Sequence, residues 1–155
     1  MFVFTDTLAT AGNMSTNATA NTENDTIYFK AGARNACLQA MYAIGKGAGL
    51  TAISGIVHRI VKFTTASTSG TAAAIVAKDS GGPSATHTAF TGGTAGSTRT
   101  QQVIFGHGAA GPGGWVAPNP DSMIVIQGSA TNSMDCLNAS GTASLNFEFS
   151  CEVVE

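Results

Sequence analysis

The chain predicts an all-β fold: an eight-stranded, jelly-roll-like β-sandwich over residues 26–155, with an extended N-terminal arm over residues 1–25. Three observations carry that reading. At the end of the chain, Leu145, Phe147, Phe149, Cys151 and Val153 alternate with Ser144, Asn146, Glu148, Ser150 and Glu152. Successive side chains on a strand point to opposite faces, so this segment is a strand with one face in a core. Short β-prone runs broken by Gly, Ser, Thr, Asn and Pro fill the rest, the pattern of a sandwich or barrel. Finally, 155 residues, 43% of them hydrophobic, make one domain's worth of chain with its own core.

The elements follow in order. After Phe2, Phe4 and Leu8, the stretch from Thr10 to Asp25 is a polar run without periodicity. Such a run buries too little apolar area to offset its ordering entropy by itself. It reads as an arm that orders against a partner, with the three apolar residues as its anchor. Strand candidates then fall at 26–31, 36–44, 54–65, 71–78, 98–105, 122–127, 133–138 and 144–154, the last two forming a closing hairpin around Ser140-Gly141. Residues 33–44 are rich in Ala, Leu, Gln and Met, and Gly45 suits a helix C-cap. Strand is preferred there because a long helix leaves the sheet one strand short. In 54–65 the apolar residues lie on both faces, which demands a second layer or a neighbouring subunit over it; Ile56 and His58 are taken as interface candidates. Two long loops are expected, 79–97 pinned by Phe90, and 106–121 with Trp115 as a fixed contact residue or a plug at one end of the sandwich.

Only 10% of residues are charged, against roughly 25% in an ordinary domain. An uncharged surface suits protein–protein packing, because few ions are desolvated when it is covered; it equally suits a neutral secreted-type β-domain. All seven basic residues lie between Lys30 and Arg99, and beyond Arg99 only acids occur. That asymmetry favours a head-to-tail contact, unless strands of the two halves interleave and mix the signs. Nucleic acid is excluded as a partner by the absence of a basic cluster with stacking aromatics. No apolar run approaches the roughly 20 residues of a membrane-spanning helix. The opening Met1-Phe-Val-Phe-Thr-Asp lacks the regions of a secretory signal peptide.

Chemistry is not encoded in any recognisable set. Cys37, Cys136 and Cys151 are odd in number and lack metal-ligand spacing, so they read as buried free thiols. His58, His87 and His107 have no partner at i+2, i+3 or i+4. There is no nucleophile elbow and no phosphate-binding loop. The expectation is a protein that is not an enzyme and needs no metal or cofactor.

Three stretches carry a resemblance. Gly45-Lys-Gly-Ala-Gly-Leu50, Gly108-Ala-Ala-Gly-Pro-Gly-Gly-Trp-Val-Ala-Pro-Asn-Pro-Asp121 and Ala139-Ser-Gly-Thr-Ala-Ser-Leu-Asn-Phe-Glu-Phe149 make the chain resemble small structural proteins of tailed bacteriophages. The resemblance covers roughly residues 26–155, and its specific part is Gly-Pro-Gly-Gly-Trp-Val-Ala-Pro-Asn-Pro. It implies a virion component on the outer capsid, a decoration or cement protein made in the host cytoplasm. It further implies the major capsid protein as partner and a homo-oligomer, a trimer above all. The alternative is a receptor- or glycan-binding head of a tail fibre, which requires Trp115 or Tyr28 exposed as a stacking platform. Phe2, Phe4, Leu8, Ile56, His58 and Trp115 are the expected capsid or subunit contacts.

Overall fold

A computed structural model describes residues 2–8, 25–46, 56–77, 81, 83–108, 111–128, 131–138 and 146–155. Among them are twelve strands: β1 (Phe2–Leu8), β2 (Asp25–Lys30), β3 (Ala36–Lys46), β4 (Ile56–Thr65), β5 (Thr71–Ala73), β6 (Val76–Ala77), β7 (Thr88–Thr91), β8 (Ser97–His107), β9 (Pro112–Val116), β10 (Ile124–Ile126), β11 (Ser133–Asn138) and β12 (Asn146–Val154). A 3-10 turn, Pro120–Ser122, joins β9 to β10. No helix among the described residues is long and apolar enough to cross a membrane.

The strands form two antiparallel sheets. The first runs β6-β1-β12-β3, with β9 and β10 placed one after the other along the far edge of β3. The second runs β5-β7-β2-β11-β4-β8. Pairing is nested along the chain: β1 with β12, β2 with β11, β3 with β9 and β10, β4 with β8. The sheets share one apolar layer, in which Phe29, Ile60 and Met134 of the second sheet meet Leu38, Met41 and Phe149 of the first. Each large side chain removed from water there contributes about 1.5–3 kcal/mol.

The alternation that announces β12 holds: Phe149, Cys151 and Val153 are buried, while Ser150, Glu152 and Val154 are partly exposed. β3 is a strand, as preferred over a helix. A bulge against Glu152 and Val153 of β12 leaves Gln39 without a register partner, so Leu38 and Met41 both reach the core. The Gln39 carbonyl accepts the Ala117 N–H at 2.8 Å instead.

Several expectations are corrected. Twelve strands replace eight, because β1 lies in the segment expected as arm, and β7 and β9 lie in segments expected as loops. Residues 71–78 split into β5 and β6, which join different sheets. There is no closing hairpin: β11 pairs with β2 and β4, β12 with β1 and β3. A local turn signal loses here to the burial gained when each strand enters the middle of a sheet. Cys136 and Cys151 are buried, as expected.

The two-faced segment obtains its second layer from its own chain. Val61 and Phe63 of β4 and Leu137 of β11 form a buried cluster on the outward side of the second sheet, against Ala95. The connections on either side of Thr68 and Thr94, bridged to each other, lie over it. Ser67 seals this lid: its hydroxyl donates to the buried Asp135 carboxylate and accepts the Gly96 N–H at 2.8 Å, while its N–H donates to Ser133 Oγ at 3.1 Å. Cyclic association is therefore not needed to cover this part of β4.

Glycine decides where β9 can lie. A Cβ on Gly113 would stand 2.5 Å from His107 Cβ and 2.7 Å from the Gly106 carbonyl of β8. One on Gly114 would stand 2.7 Å from the Met41 carbonyl of β3. The Gly-Gly pair thus lets β9 close one flank of the sandwich by lying almost backbone to backbone against both sheets. Gly113→Val is expected to lower the unfolding free energy by about 1–3 kcal/mol, the usual cost of overpacking, measured by denaturant titration. Val116→Thr, at an exposed position of the same strand, should leave it within about 0.5 kcal/mol.

Candidate interaction surface

The residues singled out from sequence do not converge on one exposed site. Phe2, Phe4 and Leu8 belong to β1, in register with Val153, Cys151 and Phe147 of β12. The tip of the expected arm is thus a strand of the body's own first sheet, since alternating aromatic and β-branched residues suit the open side of β12. Residues 9–24 lie outside the described residues. Ile56 opens β4 opposite His107. Trp115 is partly buried and packs against the main core, the plug reading of the two. Tyr28 is almost fully buried; its ring stacks on Phe90 at 4.9 Å and its hydroxyl accepts the Gly70 N–H.

His58 is interior, which corrects its place among the contact residues. It faces inward from β4, edge-on to Phe149 at 5.3 Å, and its Nε2 lies 3.1 Å from Nε2 of His107. His107 Nδ1 is 2.8 Å from the Gly108 carbonyl, so this nitrogen carries the proton. His107 Nε2 then accepts, and His58 Nε2–H donates to it. Sequence could not reveal this pair, because the two histidines stand 49 positions apart and only the β4–β8 ladder joins them. Burial, with the neighbouring His107 charge second, pushes the His58 imidazole down to about 3. Among the described residues no three His, Cys, Asp or Glu side chains gather at one point.

A second polar cluster ties down the opposite end of β12. The Glu155 carboxylate accepts N–H bonds from Thr86 at 3.0 Å and His87 at 2.6 Å, and the Thr86 hydroxyl at 3.1 Å. His87 Nδ1 lies 2.5 Å from it and Arg34 Nη1 3.9 Å. Burial alone would raise this carboxyl, yet the bonds from Thr86 and His87 outweigh it and hold the group below the ordinary carboxylate range.

What the surface does offer is apolar. On the outward face of the first sheet, Val125 pairs with Cys37, Val116 with Ala40, Gly114 with Tyr42 and Pro112 with Ile44. No charge interrupts this ladder. Tyr42 is 43% exposed, Ile44 40%, Val116 50% and Val125 36%. Burial raises the pKa of the Cys37 thiol at its margin. On the outward face of the second sheet, at the β4/β8 edge, Val57 and Ile104 are also exposed, with Arg59 in register with Ile104. Contiguous exposed apolar positions of this kind mark interaction surfaces. Sequence missed the ladder because β9 reads as a glycine-rich loop; the alternation of Pro112, Gly114 and Val116 is its one local trace.

Charge is shared unevenly between the sheets, and the Lys62 ammonium of the second donates to the Val125 carbonyl of the first at 3.2 Å. The strands of the first sheet carry Asp6, Glu148, Glu152 and one lysine, Lys46. Those of the second carry Lys30, Arg59, Lys62 and Arg99 against Asp25 and Asp135, and Asp135 is buried. No family model, no curated protein and no solved structure matches the chain.

Two pH effects follow. In the unfolded chain His58 takes up a proton near pH 6.5, whereas in the fold it does not until about pH 3. The unfolded state therefore binds more protons across that window, and stability is full above about pH 6.5 and falls as the pH drops towards 3. Glu155, whose folded pKa is depressed, adds a loss at lower pH, as the pH falls below the ordinary carboxylate range. Chemical denaturation between pH 8 and 3.5 should show a steady decline in wild type, and a much flatter curve above about pH 5 in His58→Gln. Glu155→Gln at pH 7 should lower stability by about 1–3 kcal/mol, since its hydrogen bonds are charge-assisted.

Proposed function

We propose that this protein is a bacteriophage capsid decoration protein that binds the outer capsid and braces contacts between neighbouring capsid subunits. The observation that carries the proposal is the uncharged, exposed apolar ladder on a sandwich whose other ionic groups are few. A decoration protein occupies many identical sites and gains from avidity, so a modest apolar contact per copy suffices and no cofactor is required. The stretch most specific in the resemblance, from Gly108 to Asp121, contains β9 and so builds the free edge of that ladder. The major capsid protein is the partner in this reading, the assembly is a homotrimer, and the location is the virion surface.

The fold is proposed to be a jelly roll. Nested pairing is what a long hairpin produces when it is rolled up, with its tip between β4 and β8. The short strands β5, β6 and β7 then form an insertion at that tip. The receptor-binding reading receives no support from its two aromatic residues: Tyr28 is enclosed under Phe90 and Gly70, and Trp115 rests on the core.

Quantitative mass spectrometry of purified particles tests the proposal. Hundreds of copies per particle are expected. A few copies to a few dozen, or none, would assign the chain to a tail appendage or remove it from the virion.

A further inference from the structure

We infer that the His58–His107 pair is an acid-sensitive catch that holds β9 against β8, so that acid loosens one edge of the apolar ladder before the sandwich unfolds. Only the consequence, weaker attachment to particles in acid, rests on the decoration reading. The catch itself belongs to the isolated chain.

The pair stands where the two sheets meet. His58 on β4 and His107 on β8 turn their Nε2 atoms towards each other across 3.1 Å, with ring planes 16° apart. His107 also serves the turn that leads into β9. Its Nδ1–H donates to the Gly108 carbonyl at 2.8 Å, and the same oxygen accepts the Gly111 N–H at 3.1 Å. The His107 Cβ fills the space that Gly113 of β9 leaves by carrying no side chain. One imidazole thus touches β4, the turn and β9, while the ladder to β3 holds the opposite side of β9.

Proton counting shows why acid opens such a contact. Two neutral imidazoles bring two N–H groups, and both are engaged: His107 Nδ1–H on Gly108, and His58 Nε2–H on His107 Nε2. A third proton makes the pair a cation, joined only if His58 moves its own hydrogen to Nδ1. A fourth leaves two donors facing each other with no lone pair between them. The surroundings resist even the first charge, because an apolar site disfavours it. Around His58 lie Phe105 of β8 at 5.0 Å and Phe149 of β12 at 5.3 Å. The inward side of β12 continues with Cys151, β3 adds Met41 and Ala43 to the same core, and β11 places Asn138 in register with His58. Arg59 and Glu148, next in sequence to His58 and Phe149, stand at the alternate positions, in register with the exposed Ile104 and Ile44.

His107 is the ring with a way out, 8% exposed at the end of β8 where His58 is fully enclosed. Swinging into water, it releases the Gly108 carbonyl and presses on Gly113, so β9 parts from β8 while its ladder to β3 stays. Water then reaches His58. An exposed imidazole takes its proton near pH 6.5, whereas His58 in the closed form does so at about 3. Between those limits each pH unit lost favours the open form about tenfold.

The test uses the full-length protein alone. Trp115, the chain's one tryptophan, lies on β9 and packs against the core, so its fluorescence reports the catch. From pH 7 to 4 its emission should move to the red and its quenching by acrylamide should rise, while far-UV circular dichroism keeps the sheet signal to lower pH. His58→Gln keeps an N–H towards His107 and can turn its amide oxygen to a protonated ring, so its Trp115 emission should hold over the same range. If that variant is unfolded at pH 7, His107→Gln takes its place with the same expectation. Emission and dichroism that change together, emission that stays fixed down to pH 4, or a folded variant that shifts like wild type overturns the inference. Binding to purified particles over the same pH range separates the two readings. A chain whose Trp115 responds but which binds no particle keeps the catch and loses the decoration role; one that binds with Trp115 unmoved loses only the catch.

Discussion

β12 is the strand on which both sheets depend. It lies between β1 and β3, so the first strand of the chain, whose other partner is the two-residue β6, gains its main partner only when the last one arrives. Its alternating residues, Phe149, Cys151 and Val153, join Leu38 and Met41 of β3 in the first sheet's share of the core. Near its start Phe149 packs on His58, and beyond its end Glu155 binds Thr86 and His87. The polar clusters at its two ends thus set how far along its own axis the strand can slide. A one-residue slip would turn every buried side chain of the strand outwards. Because nearly every ladder joins the two halves of the chain, ordering entropy is spent before most contacts form, and folding belongs to the slow, non-local class.

The parts legible in the sequence are those in which one segment carries its whole pattern. β12 shows strict alternation, and β4 shows apolar residues on both faces because both are covered at Val61 and Phe63, though not at Val57. β3 was open to two readings, since Ala, Leu and Met serve helices and strands alike; the need for another sheet partner decided it. The misreadings share one physical cause. β9 is strand because β3 and β8 leave it a slot that only a chain without Cβ atoms at Gly113 and Gly114 can enter. β7 is strand because Phe90 stacks on Tyr28. Neither condition exists within its own segment. For Ser140-Gly141 turn propensity was legible, but the placing of β11 and β12 in different sheets was not.

The site shows the same division. Low charge was legible in the composition, and the uneven placing of charges along the chain carries only in part into the fold: Lys30, Arg59, Lys62 and Arg99 lie on β2, β4 and β8 and Glu148 and Glu152 on β12, but Lys46 lies on β3 and Asp135 on β11. Which residues face outwards was not legible. His58 looked available and is enclosed with His107. Tyr42 and Ile44, in a segment read as strand with no face assigned to either residue, face solvent. Register alone separates these cases, and register is set by bulges and by long-range pairing.

One sulfur atom borders the uncharged face. Cys37 faces outwards beside Val125, half-buried, and desolvation keeps its proton bound more tightly than in a free thiol. Nucleophilic attack on another sulfur needs the thiolate. Cys37 is therefore slow to exchange into disulfides with other thiols at neutral pH. The same partial burial that leaves the apolar ladder beside it exposed thus keeps its thiol chemically quiet.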